Sequence, residues 1–181
     1  MRGPEGSAWF PSSVSTTGLP VIFLDTSALV KAYIEEPGSR VVRTLLERLG
    51  GSLYLSDHVA LEVLATLAYK LRDGKLRVAA YRKMRAKFLT DYSTSFIAED
   101  VNPATLQAAM QLADTHRNLG VGTVDLIHVA TALQLRSRTA PPRFTVVCAD
   151  RSMRLLAGAA GFEVFDPQND DPAGSTRRAP G

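Results

Sequence analysis

The chain has 181 residues, of which 45% are hydrophobic and 22% are charged, proportions that are ordinary for a one-domain globular protein. No apolar run approaches the roughly 20 residues of a membrane-spanning helix and no secretory signal opens the chain, so we expect a cytoplasmic protein without a membrane partner. The single cysteine, Cys148, excludes an internal disulfide, and a net charge of +3 permits an acidic partner without demanding one.

Two segments without hydrophobic periodicity flank a longer patterned region. Residues 1–19 and 168–181 are rich in Gly, Ser, Pro and other small or polar residues, a composition typical of flexible chain. No internal repeat divides the region between them. We therefore expect one folded domain at 20–167, between a flexible N-terminal segment and a flexible C-terminal tail.

Strand and helix signals alternate through the first half of the patterned region. The sequence VIFL (21–24) is an unbroken apolar run, typical of a strand buried on both faces, and helical residues follow to about Glu36. Since Thr26 and Ser27 can cap that helix, we expect Asp25 to be free for another role. The next predicted elements are a helix that Ser39 caps and Gly50 ends, a strand at 53–55, a helix from its cap Ser56 to about Arg72, a helix from about Val78 to Leu89, and a strand at 95–98.

The second half continues the alternation. Asn102 followed by Pro103 is a strong helix start, because asparagine caps and proline fits the first helical position. The remaining predicted elements are a helix from 103 to near Gly120, a helix that Thr123 caps, a strand at 144–148, a short helix at 150–160, and a strand at 163–165. Apolar strands separated by helices indicate a three-layer α/β/α sandwich with a central, mainly parallel sheet.

A basic stretch interrupts the otherwise mixed charge of the chain. Between positions 70 and 87 a single acid, Asp73, accompanies eight basic residues: Lys70, Arg72, Lys75, Arg77, Arg82, Lys83, Arg85 and Lys87. Such a run is most often a solvated helix face, and the alternative interpretation is a surface that contacts phosphates.

Four acidic residues are predicted to lie near the carboxyl ends of the strands, where open parallel sheets bind their ligands. Asp25 follows the first predicted strand, and Asp150 follows the strand at 144–148. Asp125 is two residues past Thr123, and Glu62 lies among apolar neighbours, where an unpaired carboxylate is costly. Helix capping or the helix dipole offers a purely structural explanation for each of the three aspartates.

Taken together, the four carboxylates would repel one another and raise one another's pKa unless a cation joined them. Mg²⁺ or Mn²⁺ suits a ligand set made only of oxygens, and no histidine or cysteine spacing indicates zinc. A divalent ion held by carboxylates on a basic protein favours hydrolysis of a phosphodiester by metal-activated water.

Four segments of the chain, taken together, resemble a known protein family. VIFLDTSALVKAYIEEPGS, LSDHVALEVLATLAYK, VDLIHVATAL and FTVVCADRSMRLLAGAAGFEVFDP follow one another at fitting distances within about 20–167. In this order they resemble the PIN-domain nucleases, and most closely the VapC-type toxins of bacterial toxin–antitoxin pairs.

The resemblance implies a ribonuclease that depends on Mg²⁺, with Mn²⁺ as a substitute. It implies that Asp25, Glu62, Asp125 and Asp150 are the catalytic and metal-binding residues. Asp25 and Asp125 are then the firmest metal ligands, while Glu62 and Asp150 tune the site, orient water or hold a second ion. The implied partners are an RNA substrate, a cognate antitoxin that covers the acidic groove, and a second copy of the chain in a homodimer.

Two features leave alternatives open. Cys148 stands where the family often has Thr or Ser, which puts the role of Asp150 in question, and a small core residue is its default interpretation. His128 lies three residues after Asp125, where we expect packing or support of the site rather than catalysis. The alternative function is a non-catalytic binding module of the same fold, for a protein partner or nucleic acid, although the four acids argue against it.

Overall fold

A computed structural model of the protein describes residues 20–170, which form five strands, seven α-helices and a short 3-10 helix. The strands are β1 (Val21–Leu24), β2 (Leu53–Ser56), β3 (Phe96–Glu99), β4 (Phe144–Val147) and β5 (Glu163–Phe165). The helices are α1 (Thr26–Leu29), α2 (Ser39–Leu49), α3 (Val59–Arg72), α4 (Val78–Thr94), α5 (Pro103–Thr115), α6 (Thr123–Thr139) and α7 (Arg151–Ala159). The expected flexible segment 1–19 and most of the expected tail, 171–181, lie outside the described residues, so the domain limits stay a prediction.

Most predicted elements are present, and the differences have local causes. The first helix is wrong beyond Ala32, because α1 tightens into the 3-10 helix Val30–Ala32 and the chain then leaves helical geometry with Tyr33 and Ile34 buried. Helix α4 extends five residues past Leu89, to Thr94. Among the helices of residues 20–170, none combines the length and apolar character that crossing a bilayer requires.

The sheet is parallel throughout the described residues, with the strand order β3-β2-β1-β4-β5. From β1 the chain winds outward through β2 to β3, then crosses back to β4 on the other side of β1 and ends at β5. The strand order therefore reverses between β1 and β4. In doubly wound sheets, the crevice at the carboxyl ends of such strands is where ligands bind.

Two apolar clusters, one on each face, hold the sheet between its helices. Ile22 and Leu24 of β1 pack in the cluster of α1–α4, while Val21 and Phe23 pack in the cluster of α5–α7. Successive residues of a strand point to opposite faces, so this division places β1 in the middle layer. The three-layer α/β/α sandwich expected from the sequence is confirmed.

One glycine fixes the end of the last strand against the start of α2. Gly38 has φ +89°, and a Cβ there would lie 2.5 Å from the carbonyl oxygen of Pro167. Only glycine fits this close approach without strain. Residues 167–169, of which 168 and 169 belong to the expected C-terminal tail, form a turn in which Asp166 accepts a hydrogen bond from the Gln168 amide.

Candidate active site

Asp25 lies directly after the central strand β1, and only 4% of its surface is exposed. Its Oδ2 accepts hydrogen bonds from the Ser27 amide (2.9 Å) and the Ser27 hydroxyl (2.5 Å), so Asp25 is itself the N-cap of α1. The expectation that Thr26 or Ser27 would cap this helix is wrong. The second oxygen, Oδ1, lies 3.4 Å from Nε2 of His128. Asp25 therefore caps the helix with one oxygen and keeps the other for the site.

The surroundings of Asp25 make its ionised form less favourable than it is in water. Burial raises the pKa of Asp25 above its usual range, because desolvation outweighs the charge of His128 and the hydrogen bonds from Ser27. A carboxyl in this position gains from a positive charge placed beside it. The Ser27 hydroxyl also accepts hydrogen bonds from the amides of Ala149 and Asp150, at 2.9 and 3.0 Å, and so ties the end of β1 to the loop after β4.

Glu62 lies in the first turn of α3, whose N-cap is His58 and not the expected Ser56. Its Oε2 accepts hydrogen bonds from the Thr26 hydroxyl (2.7 Å) and from Nε2 of His128 (2.8 Å). The carboxylate among apolar neighbours therefore has the partners that its burial requires. Burial alone would raise the pKa of Glu62, but the hydrogen bond and charge of His128, helped by Thr26, bring it below the usual range.

His128 holds this arrangement together from inside the protein. It is 1% exposed, and its Nδ1 lies 2.6 Å from the hydroxyl of Ser56, the last residue of β2. Burial alone would lower the pKa of His128, yet Glu62 and Asp25 raise it overall. The ring of His58 stacks on that of His128, with centroids 4.4 Å apart. The geometry fits the expected supporting role of His128.

Asp125 and Asp150 meet across the loops that precede α6 and α7. Asp125 Oδ2 accepts a hydrogen bond from the Gly122 amide at 3.1 Å, since Gly122 and not Thr123 is the N-cap of α6. Asp150 Oδ1 caps α7 through the Met153 amide at 3.0 Å. Between them, the Ser152 hydroxyl lies 2.9 Å from Asp125 Oδ2 and 2.5 Å from Asp150 Oδ1. A hydroxyl has one proton for these two acceptors, so it relieves only part of their repulsion.

Burial alone would raise the pKa of Asp150, but the Ser152 hydroxyl and the first amides of α7 bring it below the usual range. Asp150 is therefore ionised at neutral pH. Cys148, two residues earlier, is buried in the apolar cluster of α5–α7, as its default interpretation expects. The thiol makes no hydrogen bond to Asp150 within residues 20–170, and burial raises the pKa of the Cys148 thiol.

All four acids line one open cleft of about 490 Å³ at the switch point of the sheet. Lys31, Glu36 and Lys70 line the same cleft. The Glu36 carboxylate forms ion pairs with the ammonium groups of Lys31, at 3.2 Å, and Lys70, at 2.7 Å. Across residues 20–170, Glu62 Oε1 and Asp125 Oδ1 have no hydrogen-bond partner, because the contacts of each carboxylate go to its other oxygen. These oxygens are available to a ligand in the cleft.

The four acids that line the cleft were predicted from the sequence, whereas most of the contacts that position them were not. Ser152 and Ser56 were missed as contacts of the site, since a hydroxyl near a helix start or strand end is usually read as a cap. His58 was assigned no context, because it lies 70 positions from His128 in the chain. The spacing of Glu62, Thr66 and Lys70, each four residues apart on α3, was a usable signal that all three face the cleft.

A parallel α/β/α sandwich that gathers carboxylates at its switch point can hold a divalent metal ion at the usual ligand position of such sheets, and a metal ion held this way can activate water for hydrolysis of a phosphodiester. A family model described as the PIN domain matches residues 22–158, which is about three quarters of the chain. The chain belongs to the PIN-domain family. The resemblance drawn from the four sequence segments is thereby confirmed, and the protein is an enzyme of the nuclease class.

Two curated proteins and two solved structures are similar to this chain. Ribonuclease VapC45 and ribonuclease VapC49, from two strains of Mycobacterium tuberculosis, are each 29% identical over 153 residues, covering 84% of this chain and 99% of theirs. The crystal structure of FitAcB from Neisseria gonorrhoeae has a TM-score of 0.59 at 21% identity, covering 81% of this chain and 98% of that one. That of VapC20, a Sarcin-Ricin loop cleaving toxin of M. tuberculosis, has a TM-score of 0.55 at 20% identity, covering 78% and 95%. At such identities the two structures support the fold.

Proposed function

We propose that the protein is a divalent-metal-dependent endoribonuclease and the toxin of a toxin–antitoxin pair. The observation that carries this proposal is the convergence of Asp25, Glu62, Asp125 and Asp150 on one cleft at the switch point of the sheet. The two ribonuclease relatives, which match the chain over 99% of their own length, support RNA as the substrate.

The donor set of the cleft fits Mg²⁺, with Mn²⁺ as a substitute. Hard divalent ions of this size prefer carboxylate oxygens and water as ligands. Burial raises the pKa of Asp25, and a cation beside it would lower that pKa again. Asp25 and Asp125 would hold the ion, and Glu62 and Asp150 would orient water or hold a second ion. When bound, such an ion supplies an activated water and offsets the charge that develops on the phosphate.

The protein's own residues keep this site in order. Ser27 fixes Asp25 to the loop that carries Asp150, and Ser152 fixes Asp150 to Asp125. His128 holds the Glu62 carboxylate in one orientation through a 2.8 Å hydrogen bond. A site held this way loses little freedom when RNA binds, which is the condition for precise positioning of the scissile phosphate.

We test the metal requirement by cleavage of a mixture of cellular RNAs. Removal of divalent ions with a chelator is expected to reduce cleavage at least about 100-fold, and excess Mg²⁺ or Mn²⁺ is expected to restore it. Product lengths on a denaturing gel report the activity. Cleavage that persists at full rate in the chelator contradicts the metal assignment. Binding of RNA without any cleavage in either ion favours the binding-module alternative.

The basic stretch supplies a path for RNA to the cleft. Lys70 lies on the cleft-facing side of α3, and the remaining basic residues follow on the α3–α4 hairpin. Several cations of this hairpin make no ion pair with any residue of 20–170 and are exposed: Arg77, Arg82, Lys83 and Arg85. Lysines and arginines clustered on one surface are the electrostatic footprint of nucleic-acid binding. Their lack of partners favours the phosphate-contacting interpretation.

Replacing Arg82, Lys83 and Arg85 with alanine is expected to weaken RNA binding and to flatten its salt dependence by up to about two units of log–log slope. Each phosphate contact that is lost removes roughly 0.7 unit for single-stranded nucleic acid. Binding to inactive protein is measured by fluorescence anisotropy across a salt series. The matched control neutralises three exposed cations elsewhere, Arg40, Arg48 and Arg117. Equal slopes in both triple variants would assign the hairpin to ordinary solvated surface.

The proposed partner is a cognate antitoxin that covers the acidic cleft, and the protein is proposed to act in the cytoplasm as a homodimer. The support for the antitoxin is the family and its VapC-named relatives. Induction of the chain alone is expected to arrest bacterial growth, and co-expression of a cognate antitoxin is expected to relieve the arrest. Analytical ultracentrifugation of the purified chain tests the dimer.

A further inference from the structure

Behind the acidic cleft lies a second group of potential ligands with different chemistry. Nε2 of His128 lies 2.8 Å and Nε2 of His58 lies 3.5 Å from the same oxygen of Glu62, Oε2. One donor atom from each of these three residues falls within 4.8 Å of the other two. The residues come from the start of α3 and the first turns of α6, so the fold brings them together.

His58 is the unexplained member of this group. Both of its ring nitrogens are shielded from solvent, and neither forms a hydrogen bond to any of the residues 20–170. Imidazole nitrogens in such positions almost always have a partner. The contact with Glu62 at 3.5 Å is close enough for charge attraction but does not form a hydrogen bond. The nuclease site described above makes no use of this ring.

We propose that His58, Glu62 and His128 form a second metal site, which shares Glu62 with the cleft and takes a transition-metal ion of the Zn²⁺ type. Two imidazoles and a carboxylate are a donor set that suits zinc, whereas the cleft offers only oxygens and suits Mg²⁺. A zinc ion with bonds of about 2.0–2.2 Å separates its ligand atoms by about 3.3–3.5 Å in tetrahedral geometry. The observed separations from Oε2 are 2.8 and 3.5 Å, and the histidine donor atoms lie within 4.8 Å of each other, so rotation of the side chains can bring all three atoms to this value.

The surroundings of His128 match those of a metal-bound histidine. A ligating imidazole normally uses its second nitrogen in a hydrogen bond that fixes the ring, and His128 Nδ1 lies 2.6 Å from the Ser56 hydroxyl. A hydroxyl can accept as well as donate. The Ser56 hydroxyl can therefore accept a hydrogen bond from Nδ1–H while Nε2 is bound to the ion. The charge of the ion would also be offset by Asp25, whose Oδ1 lies 3.4 Å from His128 Nε2.

The two metal sites share Glu62, and this gives the second site a consequence for activity. An ion held through Glu62 Oε2 places positive charge beside Asp25 and Glu62, on which the cleft depends to hold its own cation. Zinc at the histidine site therefore weakens Mg²⁺ binding and inhibits cleavage. This consequence rests on the proposed nuclease function, whereas binding at the histidine site does not.

Direct binding of Zn²⁺ to the purified full chain tests the site without RNA. Calorimetry is expected to show one zinc ion per chain, and Co²⁺ in its place is expected to give the visible absorption bands of a nitrogen-ligated tetrahedral ion. His58→Asn and His58→Gln are each expected to reduce zinc affinity at least tenfold and to abolish the cobalt bands. His58 is the suitable position because it is partly exposed, and circular dichroism verifies that both variants fold.

Two control variants separate this site from other zinc ligands. His116→Asn removes the remaining histidine of the chain, and Asp125→Asn disables the cleft; both are expected to keep zinc affinity within threefold. Equal affinity in the wild type and the His58 variants would overturn the proposal, as would a loss confined to Asp125→Asn. Zinc inhibition, expressed relative to each variant's own rate without zinc, is expected to disappear in the His58 variants. Inhibition that persists in them overturns the link to activity and leaves the binding result to stand alone.

Discussion

Replacement of Asp25 by asparagine is expected to reduce RNA cleavage by about 1000-fold or more, which corresponds to roughly 4 kcal/mol of lost transition-state stabilisation. Asp25 occupies the centre of the carboxyl edge and is the most buried of the four acids. An asparagine keeps the shape but supplies no negative charge to a cation in the cleft. Initial rates with a labelled RNA at saturating Mg²⁺ measure the loss.

The same replacement is expected to leave the fold intact, which is what makes it informative. Asparagine is as good an N-cap as aspartate, so the hydrogen bond from the Ser27 amide is retained. Because burial raises the pKa of Asp25, the ionised carboxylate destabilises the folded state, and stability from this group falls as pH rises through the carboxyl range. Asp25→Asn is therefore expected to unfold in urea at the same or a higher midpoint at pH 7.

Asp166 provides the matched control, because it also follows a strand of the same sheet and is 2% exposed. Its carboxylate pairs with Arg154 at 2.6 Å and does not line the cleft. Asp166→Asn is expected to lose stability and to keep the cleavage rate of its folded fraction. Full activity in Asp25→Asn, or an equal loss in both variants, would contradict the assignment of Asp25 to the site.

The position of the acids could be predicted from the sequence because strand ends are local features. An apolar run such as 21–24 that stops at an aspartate marks a carboxyl end, and parallel topology brings such ends together. Glu62 was found by a similar local argument, since a charge among apolar helix neighbours requires a partner. Burial and periodicity, both of which can be read from a short stretch of sequence, are enough to place these acids.

The sequence does not show which hydrogen-bond partner a hydroxyl takes when several are within reach. Ser56 was expected to cap α3, but in the fold its hydroxyl meets His128, which is 72 positions away. Asp25 was expected to leave capping to its neighbours, yet the Thr26 hydroxyl is drawn to Glu62 instead. Each hydroxyl had a good local partner and a better distant one. Tertiary contacts determine which partner each hydroxyl takes, and hydrophobic periodicity in the sequence does not predict those contacts.

The second large effect is expected on stability, at the basic end of the cleft. Lys31 is a lysine with only 4% of its surface exposed, and its ammonium lies 3.2 Å from the Glu36 carboxylate. Removing one partner of a buried pair leaves an uncompensated charge. Glu36→Gln is expected to lower the free energy of unfolding by about 2 kcal/mol at pH 7, measured by urea denaturation; Glu36 is partly solvated, so the value is below that of a fully buried pair.

The effect of Glu36→Gln is expected to depend on pH in a defined direction. Burial alone would raise the pKa of Glu36, but Lys70 and Lys31 bring it below the usual range. A carboxylate with a lowered pKa stabilises the fold fully above its unfolded pKa, and that stabilisation is lost as pH falls through the folded value. The difference between wild type and Glu36→Gln is therefore expected at pH 7 and expected to shrink in the acid range. A difference that grows as pH falls would contradict this account.

Two companion variants identify Lys31 as the cause. Glu35 is adjacent in the chain but exposed and paired on the surface with Arg43, so Glu35→Gln is expected to change stability by less than about 0.5 kcal/mol. Lys31→Met replaces the buried ammonium with an apolar chain of similar length and is expected to be nearly neutral, because desolvation of the charge is then avoided. In the Lys31→Met background, Glu36→Gln is expected to cost less than half of its effect in the wild type. If Glu36→Gln lowers the free energy of unfolding by the same amount in both backgrounds, the stabilisation comes from the 2.7 Å pair with Lys70, and the pair with Lys31 contributes nothing measurable.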